Sequence, residues 1–306
     1  MSNSSTQGFM LRSPAKLNWT LEVLGKRADG FHELRSWFLA AAVYDELYCQ
    51  LRDPAHTAEP PLRITGPAAE GLPLDGSNLV LRAEQVWRAA GGEAPAVTWS
   101  LIKNIPAGAG LGGGSGNAAA ALLLLEAIGD SSAIDDLAAL ALSIGSDLPF
   151  FLQQSSAVLL GGRGERLLAS TEAPDGWVVV AVPEFSVHTA KVFAALKASS
   201  YQASEQAQGK QQSNVIPKLP AENDLVEAAQ QAYPELAAFH DMLDAAADFH
   251  LSGSGGAHFA YFRQHQAAED CAAHTRSICK HVFVAPMQQG PVLRTPKPLP
   301  IPGQQA

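Results

Sequence analysis

Cysteine is scarce in this chain. The three that occur, Cys49, Cys271 and Cys279, form no C-x-x-C pair and cannot all be bridged. That excludes a disulfide scaffold and predicts a reducing, cytoplasmic compartment in which the thiols are small core residues. Charge is also sparse: 17% of residues are charged, the net charge is −9, and no basic cluster is longer than two residues. Such a field repels polyanions, which excludes nucleic acid and anionic membrane surfaces as partners. An anionic substrate has to be drawn in by local groups. No apolar run approaches the roughly 20 residues of a membrane span; the longest begins at Ala118 and is cut by Glu126. The polar opening Met1-Ser2-Asn3-Ser4-Ser5 lacks the charged start and apolar follow-on of a signal peptide.

Glycine, by contrast, is concentrated. Six glycines fall between Gly108 and Gly116, in Pro106-Ala107-Gly108-Ala109-Gly110-Leu111-Gly112-Gly113-Gly114-Ser115-Gly116-Asn117, with an Ala/Leu-rich helix expected from Ala118. Glycine reaches φ > 0 and lets backbone N–H groups converge on one point, and a helix start adds unpaired N–H groups and partial positive charge. Strand, glycine loop and helix make a phosphate cradle. A tight turn would need one or two glycines. The loop is not a P-loop, because Gly114 stands where G-x-x-x-x-G-K-[ST] requires lysine. Gly108, Gly110 and Gly113 match a dinucleotide fingerprint, but two helices follow and leave no room for the strand ending in an acidic residue that this fold needs.

With 306 residues, 47% of them hydrophobic, the chain can bury a large core and is expected to form two domains. Residues 17–23 alternate as a half-buried strand, Asp29-Gly30 marks a hairpin, and residues 31–47 return. Residues 52–75 read as loop with a short strand near 62–64, residues 78–90 as a helix, and residues 97–102 as the strand feeding the glycine loop. A helix is expected to stop about Leu148, because Pro149 disfavours helical geometry before it. A strand at 157–160 and a turn at 161–165 close a first domain, 1–165. The second, 166–287, holds strands at 177–182, 257–262 and 281–285 and helices at 189–197, 223–246 (parted at Pro234) and 264–276. Residues 198–214 are polar loop, and the proline-rich tail 288–306 is expected to be disordered.

The glycine loop resembles the P-x-G-x-G-L-G-G-G-S-S-N-A-A signature of the GHMP small-molecule kinases. Pro14-Ala15-Lys16-Leu17-Asn18 is similar to that family's P-x-K-[LI]-N opening, Gly145-Ser146-Asp147-Leu148-Pro149 to its G-[AS]-D-[VI]-P, and Ser252-Gly253-Ser254-Gly255-Gly256 to its third glycine motif. Ala28-Asp29-Gly30-Phe31-His32-Glu33-Leu34 resembles a stretch of the branch that phosphorylates a diphosphocytidyl methylerythritol. The resemblance implies an α+β, two-domain GHMP kinase fold, a ribosomal-protein-S5-like domain followed by a ferredoxin-like one, with the site in the cleft.

It further implies ATP and magnesium as cofactors and a cytidine diphosphate conjugate as the small-molecule substrate. Lys16 and Asp147 carry over as the catalytic couple, Asp147 accepting the hydroxyl proton and Lys16 holding both partners. Pro106 to Gly116 (with Ser115 the hydroxyl), Asn78, Leu79 and Lys103 carry over to ATP. Asn18, Phe31, His32, Thr189 and Phe193 carry over to the substrate, with Phe31 and Phe193 sandwiching the cytosine and His32 at its edge. Two departures stand out: Gly116 replaces a second serine whose hydroxyl could touch phosphate or metal, and Phe31 replaces the more usual tyrosine. Metal ligands are not legible, and the chain is expected to be a monomer or homodimer. Two alternatives stay open: another GHMP kinase, of the homoserine or mevalonate type, and a catalytically silent sensor. The cytidyl-type hairpin opposes the first, and the retained Lys16 and Asp147 oppose the second.

Overall fold

The computed structural model describes residues 8–52, 60–196, 214–220 and 222–299. Its first sheet is organised on one 20-residue strand, β3 (His32–Leu51). Along one edge of β3 lie β1 (Gly8–Asn18) and β2 (Glu22–Lys26). Along the other lie β5 (Val97–Ile102) and β6 (Ala157–Gly162), which pair with its opposite ends. β4 (Leu62–Thr65) runs parallel beyond β5, and β7 (Arg166–Thr171) antiparallel beyond β6. The alternation over 17–23 spans two strands, β1 and β2, rather than one. Leu21 leaves β3 to bridge Asn223 and take the Glu222 carbonyl, so a contact remote in sequence breaks the strand.

Four helices cover one face of this sheet: α1 (Leu79–Ala89), α2 (Gly113–Ile128), α3 (Leu137–Ile144) and α4 (Leu148–Phe151). α2 is apolar on nearly all sides and is correspondingly buried, from Asn117 to Leu122 without a break. It begins at Gly113 and not at 118, so three of the glycines form its first turn. Helix does not stop at Leu148 either. α3 ends at Ile144, and Pro149 sits in the first turn of α4, the one helical place where a missing N–H costs nothing.

The second sheet is antiparallel, in the order β11 (His281–Pro286), β8 (Trp177–Val182), β10 (His258–Phe262), β9 (His250–Leu251). Val178, Val180 and Val182 of β8 face Ala15, Leu17, Trp19 and Leu39 of the first sheet in one shared core. Their neighbours Val179 and Ala181 pack on the helices Glu235–Asp244 and His265–Thr275. Period-two alternation in a single strand thus welds the two halves on one side and clothes the sheet on the other.

Two expectations about domain limits are corrected. β7 pairs with β6, so residues 166–171 belong to the first sheet and the crossing to the second comes after Thr171. The tail is built into the structure as far as Leu299. Val292 and Leu293 are buried in the first core, the Gln288 amide bonds the Tyr44 hydroxyl and two carbonyls, and β12 (Lys297–Pro298) pairs with β1. Proline is tolerated at such an edge because no further strand needs its N–H. The loop expected over 198–214 lies, apart from Asn214, outside the described residues. All three cysteines are free; Cys49 is buried, and burial pushes its thiol up to about 12.

Candidate active site

Lys16 and Asn18 are two apart on β1 and so share a face, while Ala15 and Leu17 between them enter the inter-sheet core. A bulge between Pro14 and Ala15 shifts the register against β3 just before the pair. The Lys16 ammonium donates to Asn18 Oδ1 at 2.6 Å, lies 5.0 Å from the centre of the Phe38 ring, and stands 3.6 Å from Asp147 Oδ2. Lys16 is buried, whereas the Asp147 side chain is 37% exposed. Asn18 Nδ2 in turn donates to Ser36 Oγ at 2.9 Å, fixing the amide so that its oxygen faces the cation. Asp147 immediately precedes α4 but caps none of its N–H groups. Its carboxylate is therefore left for Lys16 and for whatever enters the cleft.

The glycine loop passes directly over this pair. Gly108, Gly110 and Gly112 all have positive φ, and Gly112 (φ +68°) is the residue on which α2 starts. A β-carbon at 112 would lie 2.6 Å from Lys16 Cγ and 3.0 Å from Phe151 Cζ. Gly112→Ala should therefore destabilise the protein by about 1–3 kcal/mol and push Lys16 off Asp147, weakening turnover and ATP affinity together. Urea unfolding and ATP titration check this; wild-type values in both would remove Gly112 from the site. The second cluster, Ser252 to Gly256, locks onto the first. Ser252 Oγ donates to Gly110 O at 3.2 Å, Ala257 N to Ala109 O at 2.9 Å, and a β-carbon at Gly253 would lie 2.7 Å from Asn18 Oδ1.

Gly116, where the family pattern has serine, faces inward: a β-carbon there would lie 2.9 Å from Phe151 Cε1 and 3.2 Å from Ser13 Cβ. A hydroxyl at 116 would point at the packed core, not at the cavity under the loop. Ser115 does line that cavity, whose volume is about 360 Å³ and whose wall includes Asn78, Leu79, Lys103 and the whole run from Pro106 to Ser115. Gly113, Gly114 and Ser115, in the first turn of α2 where N–H groups have no partner within the helix, belong to the same wall.

Lys103 and Asn78 differ from expectation. The Lys103 ammonium, although the residue lines the cavity, is committed to Asp45 Oδ2 and to Ile105 O at 2.6 Å. Burial lowers its pKa from the usual lysine range, and Asp45 opposes that shift. Asp45, fully buried, also accepts from Asn104 N at 2.7 Å, Ile105 N at 2.8 Å and Asn117 Nδ2 at 3.0 Å. The first two are backbone donors beyond the end of β5 at Ile102 and the third is a side-chain amide of α2, so one side chain of β3 ties down the strand end, the loop and α2. The Asn78 amide is likewise committed, accepting from Val80 N as the cap of α1 and donating to Pro73 O. Nothing local in the sequence singled out Asp45, Phe38 or Ser36, since each acts only through partners far along the chain.

A second, larger cavity of about 720 Å³ adjoins the first, and both are walled by Asp147, Gly110 and Thr189. It also holds Lys16, Asn18, Phe31, His32 and Phe193, so the substrate residues expected from sequence do converge. Phe193, on α5 (Thr189–Ala195), stacks on His32 with ring centres 5.0 Å apart, and Phe31 is half exposed with the Arg163 guanidinium 4.0 Å over its ring. Phe31 and Phe193 both wall this cavity, and the ring in direct contact with Phe193 is that of His32, the first residue of β3. Burial, with Lys26 nearby, lowers the His32 pKa from the usual imidazole value. Thr189 Oγ1 accepts from Ser254 Oγ at 2.9 Å, linking the cavity wall to the second glycine cluster.

Two pockets meeting at a carboxylate beside a buried ammonium, one of them roofed by a helix-starting glycine loop, suit the transfer of phosphate to a small molecule. Comparison with known proteins agrees: residues 78–155 match the N-terminal domain of the GHMP kinases. A 4-diphosphocytidyl-2-C-methyl-D-erythritol kinase of Solidesulfovibrio magneticus is 36% identical over 293 residues, covering 91% of this chain and 96% of its own length. That of Paramagnetospirillum magneticum is 34% identical, covering 92% and 98%. A crystal structure of 4-(cytidine 5'-diphospho)-2C-methyl-D-erythritol kinase superposes with a TM-score of 0.71 at 30% identity, over 92% of this chain and all of the other. A homoserine kinase from Cytophaga hutchinsonii, at 17% identity and a TM-score of 0.64, shares the fold. The chain belongs to the 4-diphosphocytidyl-2-C-methyl-D-erythritol kinase family of GHMP kinases, which are ATP-dependent phosphotransferases. Among the described residues no helix is long and apolar enough to cross a membrane.

Proposed function

We propose that this protein transfers the γ-phosphoryl group of ATP to the 2-hydroxyl of 4-diphosphocytidyl-2-C-methyl-D-erythritol, in the non-mevalonate route to isoprenoids and in the cytoplasm. The observation that carries the reading is the 3.6 Å Lys16–Asp147 pair standing where the two cavities join. The glycine-loop cavity receives ATP, with Leu79 and the edge of Asn78 bordering the adenine and the loop N–H groups on the phosphates. The larger cavity receives the cytidyl substrate, its base against His32 and Phe193 and its alcohol toward Asp147.

Asp147 accepts the hydroxyl proton as the oxygen attacks phosphorus, a role worth roughly 10²–10⁴-fold. Lys16, held by Asn18, positions that carboxylate and faces the negative charge growing on the attacking oxygen. The donor set fits a magnesium ion. Among the described residues no group of three or more acidic, His or Cys side chains gathers as a metal cage, and magnesium needs just one or two protein oxygens beside nucleotide phosphates, a part the Ser115 hydroxyl in the wall of the ATP cavity would take. Bound there, the metal would neutralise phosphate charge during transfer.

The reading is tested by incubating purified protein with ATP, magnesium and a panel of alcohols (the cytidyl substrate, its uridyl analogue, methylerythritol phosphate, homoserine and mevalonate) and scoring ADP. Turnover confined to the cytidyl compound is expected. Equal or faster turnover of homoserine or mevalonate would replace the proposed substrate, and no turnover of any would favour a sensor.

A further inference from the structure

We infer that Arg163 is the counter-ion for the diphosphate of the substrate, an assignment that rests on the function just proposed. Arg163 lies in the turn between β6 and β7 and lines the larger cavity together with Gly164, Ser146 and Asp147. The turn is seated against the segment that carries the catalytic carboxylate: a β-carbon at Gly164 would lie 2.8 Å from Ser146 O. Its guanidinium carbon lies 4.0 Å over the centre of the Phe31 ring, a cation–π contact that helps hold the group at the cavity wall.

The guanidinium carries an N–H with no protein acceptor among the described residues. That N–H, on Arg163 Nε, is buried, and the side chain forms no ion pair with the described residues. The nearby acids are already engaged. Asp29 is bonded to Arg27 at 3.1 Å and to Phe31 N at 3.1 Å, Glu33 to Arg27 at 2.8 Å, and Glu165 accepts from the backbone N of Arg163 at 2.5 Å. A buried guanidinium N–H is costly to leave unmade, so a cation kept this way in a ligand cavity points to an acceptor that the ligand brings.

Position selects which acceptor. The cavity runs from the aromatic end at Phe31, His32 and Phe193 to the hydroxyl-activating end at Lys16 and Asp147, and Arg163 lines it beside Phe31. In a cytidyl diphosphate conjugate the part between base and alcohol is the diphosphate, whose oxygens match the planar fork of arginine. Lys16 is already engaged with Asn18 and Asp147, and the overall charge of −9 repels a polyanion. Lys26, also in the cavity wall, is the remaining Lys or Arg there among the described residues and would assist the guanidinium.

The test uses the whole protein with the ATP cavity saturated by a non-hydrolysable ATP analogue, titrated calorimetrically with cytidine, CDP, uridine, UDP and inorganic pyrophosphate. Arg163→Met is expected to weaken CDP and pyrophosphate by about tenfold or more while cytidine stays within about twofold. Arg163→Lys should fall between, because charge survives and the fork does not. Affinity for the ATP analogue and thermal stability should match wild type in both variants. An equal loss for cytidine and CDP would make Arg163 a prop for the base pocket, and an unchanged CDP affinity would free it of any ligand role; either overturns the assignment. If wild type prefers neither cytidine nor CDP over uridine and UDP, the cytidyl substrate is wrong. The pyrophosphate titration then still decides whether the guanidinium binds a diphosphate.

Discussion

Asp147→Asn is expected to lower turnover of the cytidyl substrate by at least about 10²-fold while ATP affinity stays within about twofold, because the change removes a proton acceptor and almost no volume. The carboxylate caps no helix and stands 3.6 Å from Lys16, so the amide can replace it without leaving a buried donor of α4 orphaned. Single-turnover kinetics with saturating ATP separate the chemical step from binding. Turnover within about threefold of wild type would assign the base elsewhere. Lys16→Met is the companion measurement. Because Lys16 is buried and bonded to Asn18, its loss should depress the chemical step as strongly as Asp147→Asn, and the double variant should be little worse than either alone.

Asp45→Ala carries the largest expected effect on stability. One carboxylate there receives the Lys103 ammonium, two backbone N–H groups at Asn104 and Ile105, and the Asn117 amide, all away from water. Removing it leaves an uncompensated buried cation, a change that costs about 3–5 kcal/mol, against a total stability of about 5–15 kcal/mol for a typical domain. Equilibrium urea unfolding measures it. ATP affinity should fall as well, since Ile105 leads into the glycine loop and α2 carries Asn117. Combining Asp45→Leu with Lys103→Met should recover part of the loss, because the stranded charge goes with its partner. A loss below about 1 kcal/mol in Asp45→Ala would show that Asp45 does not tie the loop to the sheet.

Much of this molecule follows from local chemistry. The glycines at 108, 110 and 112 adopt the positive φ that their density implies, α1 starts at its Asn78 cap, β5 and β8 occupy residues 97–102 and 177–182, and the helices around Pro234 part where proline forces them to. Motif order along the chain also brings Lys16, Asp147 and both glycine clusters to one place, because each motif ends or begins a regular element that points it at the cleft.

What only the tertiary structure decided are the features whose cause lies far away in sequence. Residues 288–299 look structureless because proline and glutamine carry no periodicity. They are ordered because Val292 and Leu293 find a core and β1 has a free edge. Lys103 resembles a nucleotide contact until β3 supplies Asp45, 58 residues away, to pair with its charge. Gly116 resembles a lost hydroxyl until Phe151 fills the space a side chain would need. Phe31 acquires a neighbour that its own hairpin does not supply, the Arg163 guanidinium that the β6–β7 turn brings over its ring. Periodicity and capping are short-range and legible in a single chain. The partner of a buried charge, the occupant of a glycine's missing side chain and the neighbour of an exposed ring are set by contacts that form when the sheets close.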